Sequence, residues 1–186
     1  MSKTAIIVVD MVYDFTNENG LVFYPQNKEI LPKIKKAVDI CRKHDALVIY
    51  MTHSYRKDKY DRNLLHMRQN CIEGTGGDVI DESLSVLPED YVVKKRRYSA
   101  FFSTDIDLVL REHDIRQVII VGTKTNCCIR ATVTDAYNLD YDVYVVRECV
   151  ATNDPTVNEV HLNDINKYLG HVISLDELES DFFEKV

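Results

Sequence analysis

Short runs rich in β-branched residues recur along this chain of 186 residues and constrain its fold more than any other feature. The clearest runs are residues 4–9, 46–51 and 118–121, and none of them alternates apolar with polar residues. Because almost every side chain in such a run is apolar, both faces of the strand need covering, as in a parallel sheet between helices. The runs therefore predict strands that are buried on both faces.

Helical patterns alternate with these strands along the chain. Apolar residues recur at helical spacing over residues 27–44, which predicts a helix there. We also predict helices at 105–113, 126–139 and 156–169, and strands at 91–93, 142–146 and 171–174. This alternation predicts an α/β fold: one domain over residues 1–186, with three α/β/α layers around a mainly parallel sheet of about six strands. The polar residues 53–80 read as a long loop, and loops of that length are usually functional.

The composition limits the partners and the compartment of the protein. Its formal net charge of -7 disfavours nucleic acid, because binding to phosphates needs a basic surface. No apolar run approaches the length of a membrane span, and no N-terminal segment resembles a signal peptide. The five cysteines include no CxxC pair, so we expect reduced thiols, a cytoplasmic location and no structural zinc.

Two adjacent cysteines, Cys127 and Cys128, lie where the strand at 118–121 passes into a predicted helix. The positive end of a helix dipole and the free N–H groups of its first turn favour a thiolate. The same N–H groups can bind a developing oxyanion. The segment therefore favours a cysteine hydrolase, although small buried cysteines are also common in cores.

Other chemically useful residues follow the remaining strands. In a parallel sheet the active site lies at the carboxyl ends of the strands, which here are followed by Asp10, His53, and Lys94 or Lys95. A buried carboxylate is costly unless it is paired, and Asp10 is the general base for the thiol, a loop cap or part of a structural ion pair. A lysine beside it would hold the carboxylate in place and favour the thiolate, but spacing alone does not choose between the two lysines.

The long loop contains further candidates of a different kind. Histidines near an active-site edge suggest metal binding. However, no acidic residue accompanies His53 or His66 at the spacing of a metal site. We interpret both histidines, together with Tyr55, as residues of the loop or of the pocket wall.

Five segments in order resemble the isochorismatase-like cysteine hydrolases, which include nicotinamidases and N-carbamoylsarcosine amidases. The resemblance covers roughly residues 4–175, and its segments are 8–15, 48–50, 71–75, 95–101 and 122–132 together with 135–137. The family's lysine lies two residues before a run that matches Arg97-Tyr98-Ser99-Ala100-Phe101, which selects Lys95. Its cysteine lies three residues after a threonine that matches Thr125, which selects Cys128.

The resemblance implies a catalytic triad of Asp10, Lys95 and Cys128. It also implies a cis peptide bond between Thr123 and Lys124, and an oxyanion hole formed by the N–H groups of Lys124 and Cys128. Family members usually form dimers or tetramers, so the resemblance implies a homo-oligomer.

Departures from the family pattern narrow the expected activity. Nicotinamidase-like members bind zinc through an Asp-x-His pair and a later His, and the matching residues here are His53, Tyr55 and Asn70. An imidazole, a phenol and an amide make a poor site for a divalent ion, so we expect no metal and no cofactor. Val12 also replaces a glutamine that many relatives have.

Relatives without the metal tend to cleave ureido or carbamoyl amides. We therefore expect a cysteine amidohydrolase that cleaves a C–N bond of a small amide, carbamoyl or ureido compound through a thioester. The candidate residues for binding this small-molecule substrate are Phe15, Arg97, Tyr98 and Arg130. Alternative functions are a nicotinamidase, a hydrolase of the vinyl ether of isochorismate, and a redox sensor that uses the adjacent cysteines.

Overall fold

The computed structural model describes residues 3–184, so the predicted domain extends two residues beyond this part at each end. Six strands form one sheet in the order β3-β2-β1-β4-β5-β6, and all five pairs of neighbours are parallel. The strands are β1 Thr4–Val9, β2 Leu47–His53, β3 Tyr91–Lys95, β4 Gln117–Thr123, β5 Asp142–Ala151 and β6 His171–Ile173. The predicted α/β fold and its parallel sheet of six strands are confirmed.

Helices cover both faces of this sheet. They are α1 Tyr13–Thr16, α2 Pro25–Lys43, α3 Ile106–Glu112, α4 Arg130–Asn138, α5 Pro155–Tyr168 and α6 Leu175–Glu177. Helices α2, α3 and α5 match the predicted ranges closely, whereas the predicted helix at 126–139 is a π-helical turn, Thr125–Ile129, followed by α4. The short helices α1 and α6 were not predicted, because three or four residues carry no helical periodicity.

The core consists of two apolar layers, one on each face of the sheet. Ile7 and Val9 of β1 pack in the layer formed with α3, α4 and α5. Ile6 and Val8 point to the other face, where α2 and the turn Leu178–Phe182 pack. Every residue of β1 is therefore buried, which explains its continuous apolar sequence.

The structure corrects the predicted start of the long loop. Strand β2 continues through His53, two residues beyond the apolar run, because it remains paired with β3 as far as Lys95. Beyond the strand, Tyr55 forms an isolated bridge with Ile72. The buried carboxylate of Asp14 accepts a hydrogen bond of 2.6 Å from the N–H of Cys71, which ties the loop to α1.

Within the part of the chain that the structure describes, no helix is both long enough and apolar enough to cross a membrane.

Gly122 allows the central strands β1 and β4 to approach each other next to the site. Its φ of +117° lies in a region that side chains rarely adopt, and an added Cβ would lie 2.1 Å from the carbonyl oxygen of Val9. The two residues are partners in the ladder, so neither strand can shift alone.

We expect Gly122→Ala to lower the free energy of unfolding by about 3–4 kcal/mol, because it adds backbone strain and a clash with a central strand. Gly74→Ala is the matched control, since Gly74 also has a positive φ of +76° but no atom lies within 4 Å of the added Cβ. This control should lower the free energy of unfolding by about 1–2 kcal/mol. Urea unfolding measures both values, and equal losses would contradict the role assigned to the close approach.

Candidate active site

The candidate site lies at the carboxyl edge of the sheet, where the strand order reverses between β1 and β4. Such a reversal creates a crevice in an open parallel sheet. Asp10 directly follows β1, His53 and Lys95 are the last residues of β2 and β3, and Cys128 lies in the turn after β4. Four neighbouring strands thus each place one ionisable side chain at this edge of the sheet.

Asp10 turns the chain out of the sheet. Its φ of +57° is left-handed, a conformation that aspartate tolerates better than most residues. Its N–H donates a hydrogen bond of 2.9 Å to the carbonyl of Met51, which extends the ladder by one step. The side chain is fully buried, so the carboxylate faces the interior of the site.

Lys95 joins the predicted triad. Its Nζ lies 2.7 Å from Oδ2 of Asp10 and donates a hydrogen bond of 3.4 Å to Sγ of Cys128. Neither carboxylate oxygen of Asp10 has a hydrogen-bond partner among the described residues. The contact between Lys95 and Asp10 is therefore an ion pair without the geometry of a hydrogen bond. Lys94, the alternative, is half-exposed and pairs with Glu73 at 2.9 Å. The structure brings together the three residues that the resemblance implies.

Charges in the site determine the resting protonation of the lysine and the thiol. Burial acts to lower the pKa of Lys95, but Asp10 and Cys128 outweigh this effect and the net pKa is raised. Burial raises the pKa of Cys128, the Asp10 carboxylate raises it further, and Lys95 opposes both. Cys128 is therefore a neutral thiol at rest. The expectation that its thiolate is favoured is wrong for the resting protein, because burial beside a carboxylate outweighs the ammonium.

His53 is a fourth member of this cluster that sequence reasoning placed in the loop or pocket wall. Burial, with the neighbouring Lys95 charge, lowers its pKa to about 4, so the imidazole is neutral at physiological pH. Its Nδ1 lies 3.2 Å from Nζ of Lys95, and an ammonium can only donate. Nδ1 is therefore the acceptor, and the ring proton is on Nε2, which has no partner among the described residues.

The arrangement does not fit a zinc ion held as in nicotinamidase-like relatives. Asn70 donates a hydrogen bond to the carbonyl of Arg68, the hydroxyl of Tyr55 accepts one from Asn63, and His53 faces Lys95. The metal-free reaction remains a prediction that rests on this donor set.

Asp10, His53 and Cys128 each offer a ligand atom, and the three atoms lie within 4.8 Å of one another. The ammonium of Lys95 contacts all three, at 2.7, 3.2 and 3.4 Å. A metal ion would have to displace this buried charge. The position between the three groups is therefore already filled by a cation of the protein itself.

The turn around Cys128 contains the cis peptide bond between Thr123 and Lys124 that the resemblance implies. The carbonyl of Lys124 accepts hydrogen bonds from the N–H groups of Cys127 and Ile129, at 2.9 and 3.2 Å. These bonds wrap the turn tightly around Cys128. The oxyanion hole formed by the N–H groups of Lys124 and Cys128 remains a prediction.

The four predicted substrate contacts occupy different surroundings. Nη1 of Arg97 lies 3.1 Å from Oδ2 of Asp61, a carboxylate that sequence reasoning missed because it lies in the loop. Arg130 forms an ion pair with Asp164 of α5, so its charge is already compensated. The remaining two are the half-exposed Tyr98 and the partly buried Phe15. Their contact with a substrate remains a prediction.

Comparison with known proteins identifies the family. The isochorismatase domain matches residues 4–177, which is nearly the whole chain. This protein belongs to the isochorismatase family. The resemblance inferred from the five sequence segments is therefore confirmed, and the protein is an isochorismatase-family hydrolase.

Three relatives of this isochorismatase-family chain span nearly its full length. A probable inactive nicotinamidase of Arabidopsis thaliana is 31% identical over 173 residues, which cover 88% of each chain. The ureidoacrylate amidohydrolase of Rhizobium rhizogenes is 29% identical, and the match covers 95% of this chain and 82% of the relative. The crystal structure of N-carbamoylsarcosine amidase from Thermoplasma acidophilum superposes with a TM-score of 0.84 at 26% identity, covering 96% of this chain and 100% of that one.

The lowered pKa of His53 predicts a specific loss of stability in acid. Unfolding returns the imidazole from a pKa of about 4 to one of 6.5, so the unfolded chain binds an extra proton between these values. The contribution of His53 is therefore present above pH 6.5 and is lost as the pH falls towards about 4, by about 3 kcal/mol at most.

Urea unfolding of the wild type and of His53→Asn, at a series of pH values, isolates this contribution. The variant should lose less stability than the wild type between neutral pH and about pH 4. His66→Asn, which changes an exposed histidine of the same loop, should follow the wild type. Parallel curves for the wild type and His53→Asn would show that His53 is not held neutral by the fold.

Proposed function

We propose that this protein hydrolyses a C–N bond of a small carbamoyl or ureido amide, through a thioester on Cys128. The observation that carries the proposal is the buried contact of Lys95 with both Asp10 and Cys128, at 2.7 and 3.4 Å. This contact places a charged base, a cation and a neutral thiol within one small volume. A base beside a protonated nucleophile is the arrangement that general base catalysis requires.

The first half of the reaction begins with Asp10, which takes the proton from the thiol of Cys128 as sulfur attacks the substrate carbonyl. The ammonium of Lys95 stabilises the developing thiolate, and the N–H groups of Lys124 and Cys128 bind the oxyanion of the tetrahedral intermediate. Asp10 then returns its proton to the departing nitrogen. Ammonia leaves, and the acyl group remains on sulfur as a thioester.

The second half of the reaction uses the same groups in reverse order. Asp10 takes a proton from water as the water oxygen attacks the thioester carbonyl. The C–S bond then breaks, the acid product leaves, and Cys128 recovers the proton from Asp10. The sum of both halves is amide plus water to acid plus ammonia, so the enzyme returns to its starting state without a cofactor.

The residues around His53 support a carbamoyl or ureido substrate rather than nicotinamide. The residues that match the zinc ligands of nicotinamidase-like relatives are engaged elsewhere, with His53 facing Lys95 and Asn70 bonded to the chain. Relatives that span nearly the whole chain are named for ureidoacrylate and for N-carbamoylsarcosine, and others for nicotinamide, so the choice between these substrates rests on the donor set.

Ammonia release from a panel of amides tests the proposal. The panel contains N-carbamoylsarcosine, other ureido acids, biuret and nicotinamide, each with untreated and chelator-treated enzyme. We expect release from a carbamoyl or ureido compound that survives chelation. Release from nicotinamide alone, lost on chelation, would mean a metal-dependent nicotinamidase instead.

Cys128→Ser should lower turnover by at least about 1000-fold, because a hydroxyl is a much weaker nucleophile in this setting. Cys127→Ser is the matched control, since it changes the adjacent cysteine, which is partly exposed, and it should retain wild-type activity. Steady-state ammonia release measures both variants. Equal losses in the two variants, or activity in Cys128→Ser, would show that the nucleophile is wrongly assigned.

Lys95→Met should lower kcat by about 100-fold or more, because the site loses the cation that stabilises the thiolate. Lys94→Met is the neighbouring control, since Lys94 is half-exposed and pairs with Glu73 at the rim, and its kcat should change less than about threefold. Substrate saturation curves separate kcat from KM in both variants. A larger effect at Lys94 would overturn the assignment of the catalytic lysine.

A further inference from the structure

More acceptors than hydrogens surround the ammonium of Lys95. Its Nζ contacts Oδ2 of Asp10 at 2.7 Å, the carbonyl oxygen of Arg97 at 3.0 Å, Nδ1 of His53 at 3.2 Å and Sγ of Cys128 at 3.4 Å. An ammonium has three hydrogens, so the four groups cannot all receive a hydrogen bond at once. Two of them, His53 and the carbonyl, are neutral and keep their charge state throughout the proposed reaction. The other two exchange a proton.

The contact between His53 and Lys95 is set by the sheet. The two residues are partners in the parallel ladder of β2 and β3, so their side chains point to the same face. Each is the last residue of its strand, and the N–H of Ser54 continues the ladder by bonding to the carbonyl of Lys95 at 3.0 Å. His53 is also buried, with its ring 4.6 Å from that of Tyr55. The pairing of β2 with β3 and the contact with the ring of Tyr55 together hold the imidazole next to the ammonium.

We propose that His53 is a positioning residue, which with the carbonyl of Arg97 holds two hydrogens of the Lys95 ammonium and leaves the third directed at Cys128. At rest this third hydrogen points to sulfur, while the carboxylate of Asp10 attracts the ammonium from outside the axis of a hydrogen bond. When the proton moves from sulfur to Asp10, the negative charge moves to sulfur, where the third hydrogen already lies. The ammonium therefore stabilises the new charge without leaving its place.

Loss of the imidazole acceptor has a definite consequence in this arrangement. The ammonium then keeps one neutral anchor, and the charge of Asp10 draws it away from Cys128. The thiolate loses stabilisation, and the proton transfer that starts the reaction becomes less favourable. This inference rests on the proposed function for its kinetic effect, but its effect on the thiol itself does not need a substrate.

Three variants of His53 separate the two nitrogens of the ring. His53→Asn places an amide oxygen as many bonds from the backbone as Nδ1, so it keeps an acceptor for Lys95. His53→Gln places its amide at the distance of Nε2, and His53→Leu removes both polar atoms. If the melting temperature shows that His53→Leu fails to fold, the comparison of His53→Gln with His53→Asn still tests the proposal.

We expect kcat to fall about 10–100-fold in His53→Leu and His53→Gln, which is the range known for residues that orient metal ligands, as His53 here orients Lys95. KM should change less than about threefold, and His53→Asn should restore kcat to within about threefold of the wild type. A residue with a merely structural role would not give this split between kcat and KM or this pattern of rescue. Activity retained in His53→Gln and lost in His53→Asn would overturn the proposal, because Nε2 would then be the important atom.

Alkylation of Cys128 by iodoacetamide provides a readout without substrate. The rate at neutral pH, followed by peptide mass spectrometry, should fall several-fold in His53→Leu and stay near the wild-type value in His53→Asn, while labelling of Cys127 stays constant. No ammonia from any amide, with this alkylation pattern intact, would reject the proposed function but keep the positioning role. A wild-type enzyme that releases ammonia, with kcat and alkylation unchanged in both His53→Leu and His53→Gln, would reject the positioning role alone.

Discussion

The buried ion pair between Lys95 and Asp10 is the interaction on which the rest of the site depends. An ammonium or a carboxylate taken out of water costs several kcal/mol when unpaired, and both of these side chains are fully buried. Each charge therefore requires the other. The parallel sheet satisfies this requirement because β1 and β3 end at the same edge, with β2 between them carrying His53 as a neutral acceptor.

The same ion pair explains why the nucleophile is protonated at rest. Cys128 lies next to a carboxylate as well as an ammonium, so the two charges largely compensate and burial dominates its pKa. The thiolate becomes favourable only when the proton passes to Asp10 and the ammonium faces sulfur alone. Reactivity is therefore linked to proton transfer within the site, which slows oxidation and alkylation of the resting thiol.

Sequence patterns predicted the sheet well, because continuous β-branched runs have few other uses than buried parallel strands. They predicted Asp10 and the lysine pair because strand ends share one edge. They left Lys94 and Lys95 open, since that choice depends on which face each side chain takes in the ladder with β2. They placed His53 in a loop because the apolar run stops at Met51, whereas pairing with β3 carries the strand further.

The most direct test of this account is the ultraviolet absorbance of the thiolate, measured as the difference between the wild type and Cys128→Ser across a pH series. The account predicts no thiolate at neutral pH in the wild type. It also predicts that Asp10→Asn forms the thiolate at a lower pH than the wild type, because the carboxylate that opposes the thiolate is gone. A thiolate band in the resting wild type at neutral pH would contradict the account.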